Sequence, residues 1–550
     1  MKKHIKYLIG AGALIGATAT GCKKDFFNRP PENEVTVGTY YQTADQVQAS
    51  TNVLYDEPWY GLNGKALLAI GDLQSGNVQC VAGTDGEFDA FHNYTEGNAT
   101  LAVQSTWDAL YTVVAQCNAL LLNLPTAAAG VSAPVVNNAL GEAHLLRAAA
   151  YFYLVRNFGN VPIITDPALN VSNFQTVRTN PVADVYQFMI NDLTFAEANC
   201  TPGVASTGHA SSGSASALLA KIYLYKQDYK NAQTEAAKVI SSGEFGLMGV
   251  DFSGSYVNLF EANFNNNKES ILAMQWTSNG GYGFGNQMQS VIAPNSTVTG
   301  TGDGYGELGS TWDLQDAYKN AGDVNRRFGT IMLAGDFYPE LTKSAGGYTV
   351  PASINEGGTH AGIKKYVTGT PTDNTASSAA QDAPNNTYIM RYADVLLIYA
   401  EATLGISSGT AVGHGIDTTA VLSDATAMGY VNKIRLRAGE PSSLTSMTYR
   451  QLIKERRLEF AIEGEYWYDL QRIDGYQTNP TTATHPVAIA IESTINKGQS
   501  SGAGTAPNYT DYTRNTLYIT PTNAQFILPV PATDAAADPA LLQAPVPYKF

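Results

Sequence analysis

Apolar residues recur at helical spacing through much of the first half of the chain. Over residues 101–124, 138–158 and 182–198 they return at i, i+4 and i+7, the pattern of a helix that buries one face. Pro181 precedes the third segment, and proline at a first helical turn is a common start signal. These segments predict three amphipathic helices and favour a mainly α fold.

A fourth apolar segment, residues 217–240, has the spacing of a tetratricopeptide helix pair. Ala220 is followed three residues later by Tyr223, then by a helix break at 227–229 and by a second small residue, Ala232. Small residues allow two antiparallel helices to approach closely, and the aromatic ring fills the space beside them. No second copy follows at a clean 34-residue period, so any array of such pairs is degenerate.

The pattern changes over residues 245–387, which are rich in Gly, Asn, Ser and Thr with interspersed aromatic residues. This composition predicts loops with a few short strands at most. A helix is predicted again over 388–404, where the residues are apolar nearly all round except Arg391, Asp394 and Glu401. Such a helix is mostly buried.

The most charged helix is predicted over residues 447–472. Arg456 and Glu463 share one stripe with Phe460 and Trp467, and a solvated face would not carry those two aromatic rings. Both charges are therefore expected to be partly buried and to need partners. The three charged residues of the preceding helix are the predicted partners.

The amino terminus predicts export. Three lysines lie in the first six residues, an uncharged apolar run covers 7–17, and small residues lead to Cys22, the order of a signal peptide. We predict a lipoprotein signal peptide over 1–21, lipid attachment at Cys22 and a lipidated tether over 22–35. Ala19 stands where a lipobox usually has Leu, so ordinary cleavage near Ala19, giving a soluble secreted protein, is the alternative. No later run is long and apolar enough to span a membrane.

Charge and cysteine content remove several classes of function. The formal net charge is −15 and the basic residues are not clustered, so a nucleic-acid partner is not expected. Cys80, Cys117 and Cys200 are odd in number and have no CxxC spacing, which supports neither a disulfide framework nor zinc. Residues 302–307 superficially suggest a calcium loop but lack EF-hand spacing. No cofactor and no metal are predicted.

Several strings, taken in order, resemble the SusD/RagB family of outer-membrane lipoproteins over nearly the whole mature chain. The last residues, 544–548, depart from the family, whose members more often read Asn-Pro-Gly-Tyr there. The matching strings are residues 22–26, 142–152 with 157–162, 217–243, 391–397, 455–460 with 465–470, and 528–531.

The resemblance implies a SusD-like fold, mainly α, with tetratricopeptide-like helix pairs and a loop-rich ligand-binding side. It implies an N-terminal helical region over 36–244 and a C-terminal region over 245–550. It also implies a partner, a TonB-dependent β-barrel transporter of the SusC type. In that family the lipoprotein lies on the outer face of the outer membrane as a lid, captures oligosaccharide or peptide and hands it to the barrel. Residues 23–25 look like the charged signal for the cell surface.

Two regions carry the side chains that a glycan requires. An uncharged sugar is held by aromatic faces against its C–H side and by amides or carboxylates at its hydroxyls. Residues 71–94 and 276–305 are rich in both, and the resemblance implies that they lie on the side where starch-binding members hold sugar. Each ring in these loops could instead pin its loop to the core. Trp107, Trp312 and Trp467 lie in predicted helices and are expected to be structural residues. The candidate ligand-binding residues are Asp72, Asn77, Phe88, Phe91, Asn93, Tyr94, Tyr282 and Tyr305.

Enzymatic interpretations find little support. Glu459 and Glu463 lie one turn apart on one predicted helix, whereas a glycosidase places two carboxyls across its substrate. No metal-binding His cluster, nucleophile elbow or phosphate-binding loop occurs. We therefore predict no catalytic residues and a cell-surface protein that binds oligosaccharide and delivers it to the barrel. The alternatives are a lipid-anchored extracytoplasmic hydrolase, a peptide-binding member of the same family and a helical-repeat scaffold that binds only protein.

Overall fold

The structure is a computed structural model that describes residues 40–166, 176–203, 205–278, 281–376, 379–441, 443–501 and 512–550. The predicted signal peptide over 1–21, Cys22 and the tether over 22–35 lie outside the described residues. The α-helices in the described part of the chain are α1 (Ala44–Asn52), α2 (Lys65–Leu68), α3 (Gly86–His92), α4 (Leu101–Ala127), α5 (Ala133–Phe158), α6 (Val182–Asn199), α7 (Ser212–Tyr225), α8 (Tyr229–Ser242), α9 (Met288–Ile292), α10 (Ser296–Thr299), α11 (Trp312–Ala321), α12 (Val324–Thr330), α13 (Pro371–Asn374), α14 (Tyr392–Ser407), α15 (Ala425–Ala438), α16 (Tyr449–Phe460), α17 (Tyr466–Ile473), α18 (Pro486–Glu492) and α19 (Ala532–Ala537).

The strands are short and pair only two by two among the described residues. The antiparallel pairs are β1–β3, β2–β8, β4–β7, β5–β6, β9–β10 and β11–β12. The strands are β1 (Val78–Cys80), β2 (Ser270–Met274), β3 (Leu308–Ser310), β4 (Ile331–Leu333), β5 (Phe337–Tyr338), β6 (Tyr348–Thr349), β7 (Ala361–Ile363), β8 (Thr387–Arg391), β9 (Val421–Leu422), β10 (Met447–Thr448), β11 (Ser500–Ser501) and β12 (Thr513–Arg514). The long helices therefore form the core, and the short strand pairs hold loops against it.

The predicted helix pair is confirmed as α7 and α8. Ala220 and Ala232 are fully buried where the two helices pack against each other, as expected of small residues that let backbones approach. Asp228 begins α8 by accepting the amide N–H of Asn231, and Gln227 before it has a left-handed φ of +55°. Helix α8 then packs against α14, which joins the two halves of the chain.

The predicted helix over 388–404 is only partly right. Its first residues belong to β8, which pairs with β2, and the helix begins at Tyr392. A short apolar run reads the same whether it is a buried strand or a buried helix, and here pairing with a distant strand decides.

The predicted helix over 447–472 is wrong as a single element, because it breaks between α16 and α17. Ile462 and Gly464 have left-handed φ values of +68° and +75°. A Cβ on Gly71 would lie 2.2 Å from the Cα of Gly464, so the two backbones meet too closely for side chains. The Asp72 carboxylate accepts the amide N–H of Ile462 at 2.7 Å and of Gly464 at 2.8 Å. The break therefore depends on residues almost 400 positions earlier.

The predicted pairing of buried charges is confirmed for two pairs. Arg391 binds Glu463 at 2.7 Å, and Arg456 binds Asp394 at 2.7 Å. Glu401 instead accepts hydrogen bonds from Arg472. Each of these side chains is almost fully buried. Because a buried charge without a partner is costly, these pairs fix how α14, α16 and α17 pack.

Glu459 lies at the centre of the buried charges. Three guanidinium groups, those of Arg326, Arg391 and Arg437, contact its carboxylate. Burial alone would raise the pKa of Glu459, but these cations lower it to about 2. The Glu459 carboxylate thus has a structural role. Glu463 has one as well, because it pairs with Arg391 and Lys365.

Three further findings concern the described residues alone. None of their helices combines the length and the apolar character needed to cross a bilayer. Cys80, Cys117 and Cys200 are buried free thiols. No cluster of three or more His, Cys, Asp or Glu side chains in this part of the chain could hold a metal ion.

Candidate functional site

The predicted residues of the first loop mostly point inward. Phe88 and Phe91 are fully buried on the inner face of α3. Asp72 holds the break between α16 and α17, and Asn77 donates to the Asp72 carboxylate at 2.9 Å and accepts from Arg457 at 2.8 Å. Of the six predicted residues of this loop, these four are therefore part of the core.

Tyr94 is also an interior residue. Its ring stacks on Trp467 with centroids 6.0 Å apart. Its hydroxyl lies 2.8 Å from the Glu492 carboxylate and accepts from the Lys497 ammonium at 2.7 Å. Asn93 is exposed, but it ends α3 and its side chain donates to the carbonyl of Asp89. The first loop thus presents no aromatic face among its predicted residues.

The second region presents three aromatic rings to solvent. Tyr282 is 67% exposed, Phe284 58% and Tyr305 54%. We call Tyr282, Phe284 and Tyr305 the aromatic surface. Tyr282 and Tyr305 were predicted as candidates; Phe284 was missed, although it carries the same signal, a ring between glycines. Exposed apolar area gathered in one patch can mark a binding surface, whereas a single exposed ring is ordinary surface.

Asp303 fixes the loop that carries Tyr305. Its buried carboxylate accepts hydrogen bonds from the hydroxyls of Ser290 and Thr301 and, at 3.0 Å, from the amide N–H of Gln381. The Tyr305 amide donates to the carbonyl of Ser290 at 2.9 Å. Although burial opposes it, these hydrogen bonds lower the pKa of Asp303. The buried carboxylate of Asp303 therefore stabilises the conformation of this loop and does not point to solvent as an acid or base.

Glycine is required beside Tyr305. Gly304 has a φ of +95°, and a Cβ there would lie 2.6 Å from the carbonyl oxygen of Asn295. Only a residue without a side chain can make this turn. The turn lifts the ring of Tyr305 away from the core.

Gln381 joins the loop of the aromatic surface to the amino-terminal helical region. Its side-chain amide donates to the Tyr282 hydroxyl at 2.8 Å and accepts from the Tyr60 hydroxyl at 3.0 Å. Tyr60 in turn lies edge-on to Trp276, with ring centroids 6.3 Å apart. The Gln381 backbone is held by Asp303, so one residue positions both Tyr282 and the loop of Tyr305.

Burial and neighbouring groups raise the pKa of the phenols of Tyr60 and Tyr305. Burial raises the pKa of Tyr60 to about 12, with further contributions from Tyr282 and Asp382. The pKa of Tyr305 is raised by partial burial and then by Tyr282, Asp303 and Glu307, against the lowering effect of Lys65. Both hydroxyls therefore remain protonated at neutral pH and can donate hydrogen bonds.

A wide groove lies elsewhere. It has a volume of about 690 Å³ and runs between α4 and the carboxy-terminal segment, with Trp107, Tyr111, Asp534 and Leu541 on its walls. None of the predicted candidate residues lines it. Its lining also includes Ile164 and Val177, on either side of residues 167–175, which are not described.

The aromatic surface combines two kinds of chemistry. Three exposed rings supply apolar faces, and the hydroxyls of Tyr282 and Tyr305 and the amide of Gln381 lie on the same or adjacent loops. An uncharged polyol presents C–H groups and hydroxyls together, so it fits such a surface.

Comparison with protein families gives two matches that together cover most of the chain. Residues 268–546 match the model described as the SusD family. Residues 80–224 match the model described as starch-binding associating with outer membrane. A SusD-like protein from Bacteroides ovatus is 31% identical, covering 99% of this chain and 98% of its own. SusD-like protein P2 from Formosa agariphila is 27% identical over 83% of this chain and 88% of its own.

Solved structures show the same architecture. A structure with a xylogluco-oligosaccharide superposes with a TM-score of 0.77 at 29% identity, covering 92% of this chain and 99% of its own. A laminarin-binding SusD-like protein superposes with a TM-score of 0.67 at 25% identity, covering 92% and 100%. The resemblance found in the sequence strings is confirmed, as is the mainly α fold. The chain belongs to the SusD/RagB family.

Proposed function

We propose that this protein is a non-enzymatic glycan-binding protein of the outer membrane and that it holds its ligand on the aromatic surface. The observation that carries the proposal is the exposure of Tyr282, Phe284 and Tyr305 on loops joined by Gln381. Relatives that bind laminarin or were solved with a xylogluco-oligosaccharide support a glycan as the ligand class. The description of the matching family model supports association with the outer membrane.

The physical basis is burial of the exposed rings. Each ring leaves apolar surface in water that a sugar ring can cover, which is favourable at roughly 25 cal/mol per Å². The loops are already fixed by hydrogen bonds to Asp303 and Gln381, so little ordering cost remains on binding. Substitution of one aromatic anchor in such a site commonly costs more than about 1 kcal/mol, or about fivefold in Kd.

The test is a titration of the mature chain with xylogluco-oligosaccharide, laminarin and a panel of short peptides. Tyr305→Ala and Tyr282→Ala should each weaken glycan binding about fivefold or more. Phe337→Ala, an exposed ring on β5, is the matched control and should leave the affinity unchanged. Unchanged affinity in both Tyr variants would refute this location of the site. Binding of peptides alone would favour the peptide-binding alternative, and turnover of a polysaccharide would favour the hydrolase.

The finer part of the proposal is delivery to a partner. We propose that Cys22 is lipidated, that the chain faces the cell exterior and that it passes its glycan to a TonB-dependent β-barrel of the SusC type. The signal-peptide order of residues 1–21 and the family membership support this. A Cys22→Ala protein should keep its glycan affinity yet fail to support uptake, because the tether keeps it beside the barrel at high effective concentration. Full uptake by that variant would refute the tether.

A further inference from the structure

One segment of the amino-terminal helical region, residues 60–65, borders the aromatic surface at both of its ends. At the start of the segment, the Tyr60 hydroxyl donates to the glutamine side chain that also binds the Tyr282 hydroxyl. At its end, the Lys65 ammonium lies 3.3 Å from the Glu307 carboxylate. The two ends of this segment thus meet the two loops that carry the exposed rings.

Lys65 lies close to the exposed ring of Tyr305. Glu307 follows Tyr305 by two residues, and because consecutive Cα atoms are about 3.8 Å apart, the Cα atoms of these two residues lie within about 8 Å of each other. The pKa of Tyr305, raised chiefly by partial burial, is lowered by the charge of Lys65, an effect that weakens with distance. The Lys65 ammonium is therefore within reach of a glycan that covers this ring.

Two carboxylates hold the Lys65 ammonium in place and leave it one donor. The ammonium lies 2.5 Å from the Asp85 carboxylate as well as 3.3 Å from that of Glu307. Asp85 is itself fixed, because it accepts two backbone N–H groups at the start of α3. An ammonium has three N–H donors, and the Lys65 side chain is 39% exposed. Lys65 can therefore donate to a ligand with little further loss of side-chain entropy.

We propose that Lys65 is a specificity-determining residue of the glycan site: its ammonium donates a hydrogen bond to a hydroxyl of the sugar that covers Tyr305, and Asp85 and Glu307 position it. The inference rests on the proposed function and deepens it, because it adds a polar contact that selects a sugar with a free hydroxyl at that point. A charged donor makes a stronger hydrogen bond to a hydroxyl than a neutral donor does. Its loss should weaken glycan binding about tenfold.

Lysine labelling tests the contact directly. The mature chain is acetylated by a succinimidyl ester under single-hit conditions, without glycan and with saturating xylogluco-oligosaccharide or laminarin, and each lysine is followed by mass spectrometry. Bound glycan should lower the labelling rate of Lys65 several-fold. Lys433 is the matched control, since its side chain is 45% exposed and it also pairs with a carboxylate, that of Asp251 at 3.1 Å. Its labelling rate should not change.

Affinity measurements separate the contact from its positioning. Lys65→Met should raise Kd about tenfold, and Lys65→Arg, which keeps a charged donor, should restore most of the affinity. Lys433→Met should leave Kd unchanged. Glu307→Gln and Asp85→Asn should each raise Kd about threefold, but should have no further effect in the Lys65→Met background, because both act through Lys65. Asn at position 85 keeps the helix cap of α3.

The outcomes distinguish the inference from the proposed function. An unchanged Kd in Lys65→Met, or a Lys65 labelling rate indifferent to bound glycan, would overturn the inference. The proposed function would still stand if Tyr305→Ala weakened binding. A Lys65→Met protein with a lower urea midpoint and no rescue by Lys65→Arg would show a role in folding, which also overturns the inference. Binding of neither glycan, or binding indifferent to Tyr305→Ala, would instead refute the proposed function.

Discussion

Two loop regions of similar composition have opposite fates in this protein. Residues 71–94 and 281–307 both combine glycine, aromatic residues and carboxyls or amides. In the first, Phe88 and Phe91 turn inward from a short helix, and Tyr94 stacks on Trp467. In the second, the rings alternate with glycines and stay in solvent. An aromatic ring in a loop is buried where a helix turns it inward or where a residue distant in the chain packs against it. It stays exposed where its neighbours in the chain are glycines.

The largest expected effect is a difference in protein stability between substitutions in the two regions. Phe88→Ala removes a fully buried ring and should lower the free energy of unfolding by about 3–5 kcal/mol. Tyr305→Ala removes an exposed ring and should change it by less than about 0.5 kcal/mol. Urea denaturation measures both. A Phe88→Ala protein that keeps its stability but loses glycan affinity would place the ligand at the first region instead.

A second effect tests the structural role of Asp72 through pH. Burial raises the pKa of Asp72 to about 6 from an ordinary value of 3.8, against the lowering effect of Asn77 and the amides of Ile462 and Gly464. Because the folded value is the higher one, the folded state binds more protons between about pH 4 and 6, and this group stabilises the fold progressively as pH falls through that window.

Asp72→Asn removes this titration. The unfolding free energy of the unmodified protein minus that of the variant should therefore increase by about 2–3 kcal/mol between pH 7 and pH 4. Urea denaturation at both pH values measures the difference, and other titrating groups cancel in the subtraction. A difference that does not depend on pH would contradict the burial of Asp72 in the folded state.

The smallest expected effect is on glycan affinity and tests the role of Gln381 in the second region. Gln381→Ala removes the hydrogen bonds to Tyr282 and Tyr60 and should weaken glycan binding about threefold, the value of about one net hydrogen bond. Gln233→Ala removes a comparable side-chain hydrogen bond, to Thr403 between α8 and α14. Titration of both variants should show loss of affinity only in the first. Equal losses would mean that Gln381 supports the fold and not the site.

Local patterns predicted the elements that local physics decides. The helix pair α7–α8 follows from small residues and a break within 30 positions, and Trp107, Trp312 and Trp467 are buried as expected. The β8 strand and the break after α16 were missed because each depends on a distant partner, β2 in one case and Asp72 in the other. No local window contains that information.

The candidate site shows the same division. Tyr282 and Tyr305 were identified because rings beside glycines in a loop are a local signal, and Phe284 carries that signal as well. The interior position of Tyr94 depends on Glu492 and Lys497, about 400 positions away. Phe88 and Phe91 were misplaced for a nearer reason, because their i, i+3 spacing on a short helix already favours one buried face.

The most direct test of the glycan site is a crystal structure of the mature chain with xylogluco-oligosaccharide. We expect sugar rings against the exposed faces of Tyr282, Phe284 and Tyr305, with sugar hydroxyls near Gln381. Sugar bound instead in the groove of Trp107 and Tyr111, with the aromatic surface left bare, would contradict it.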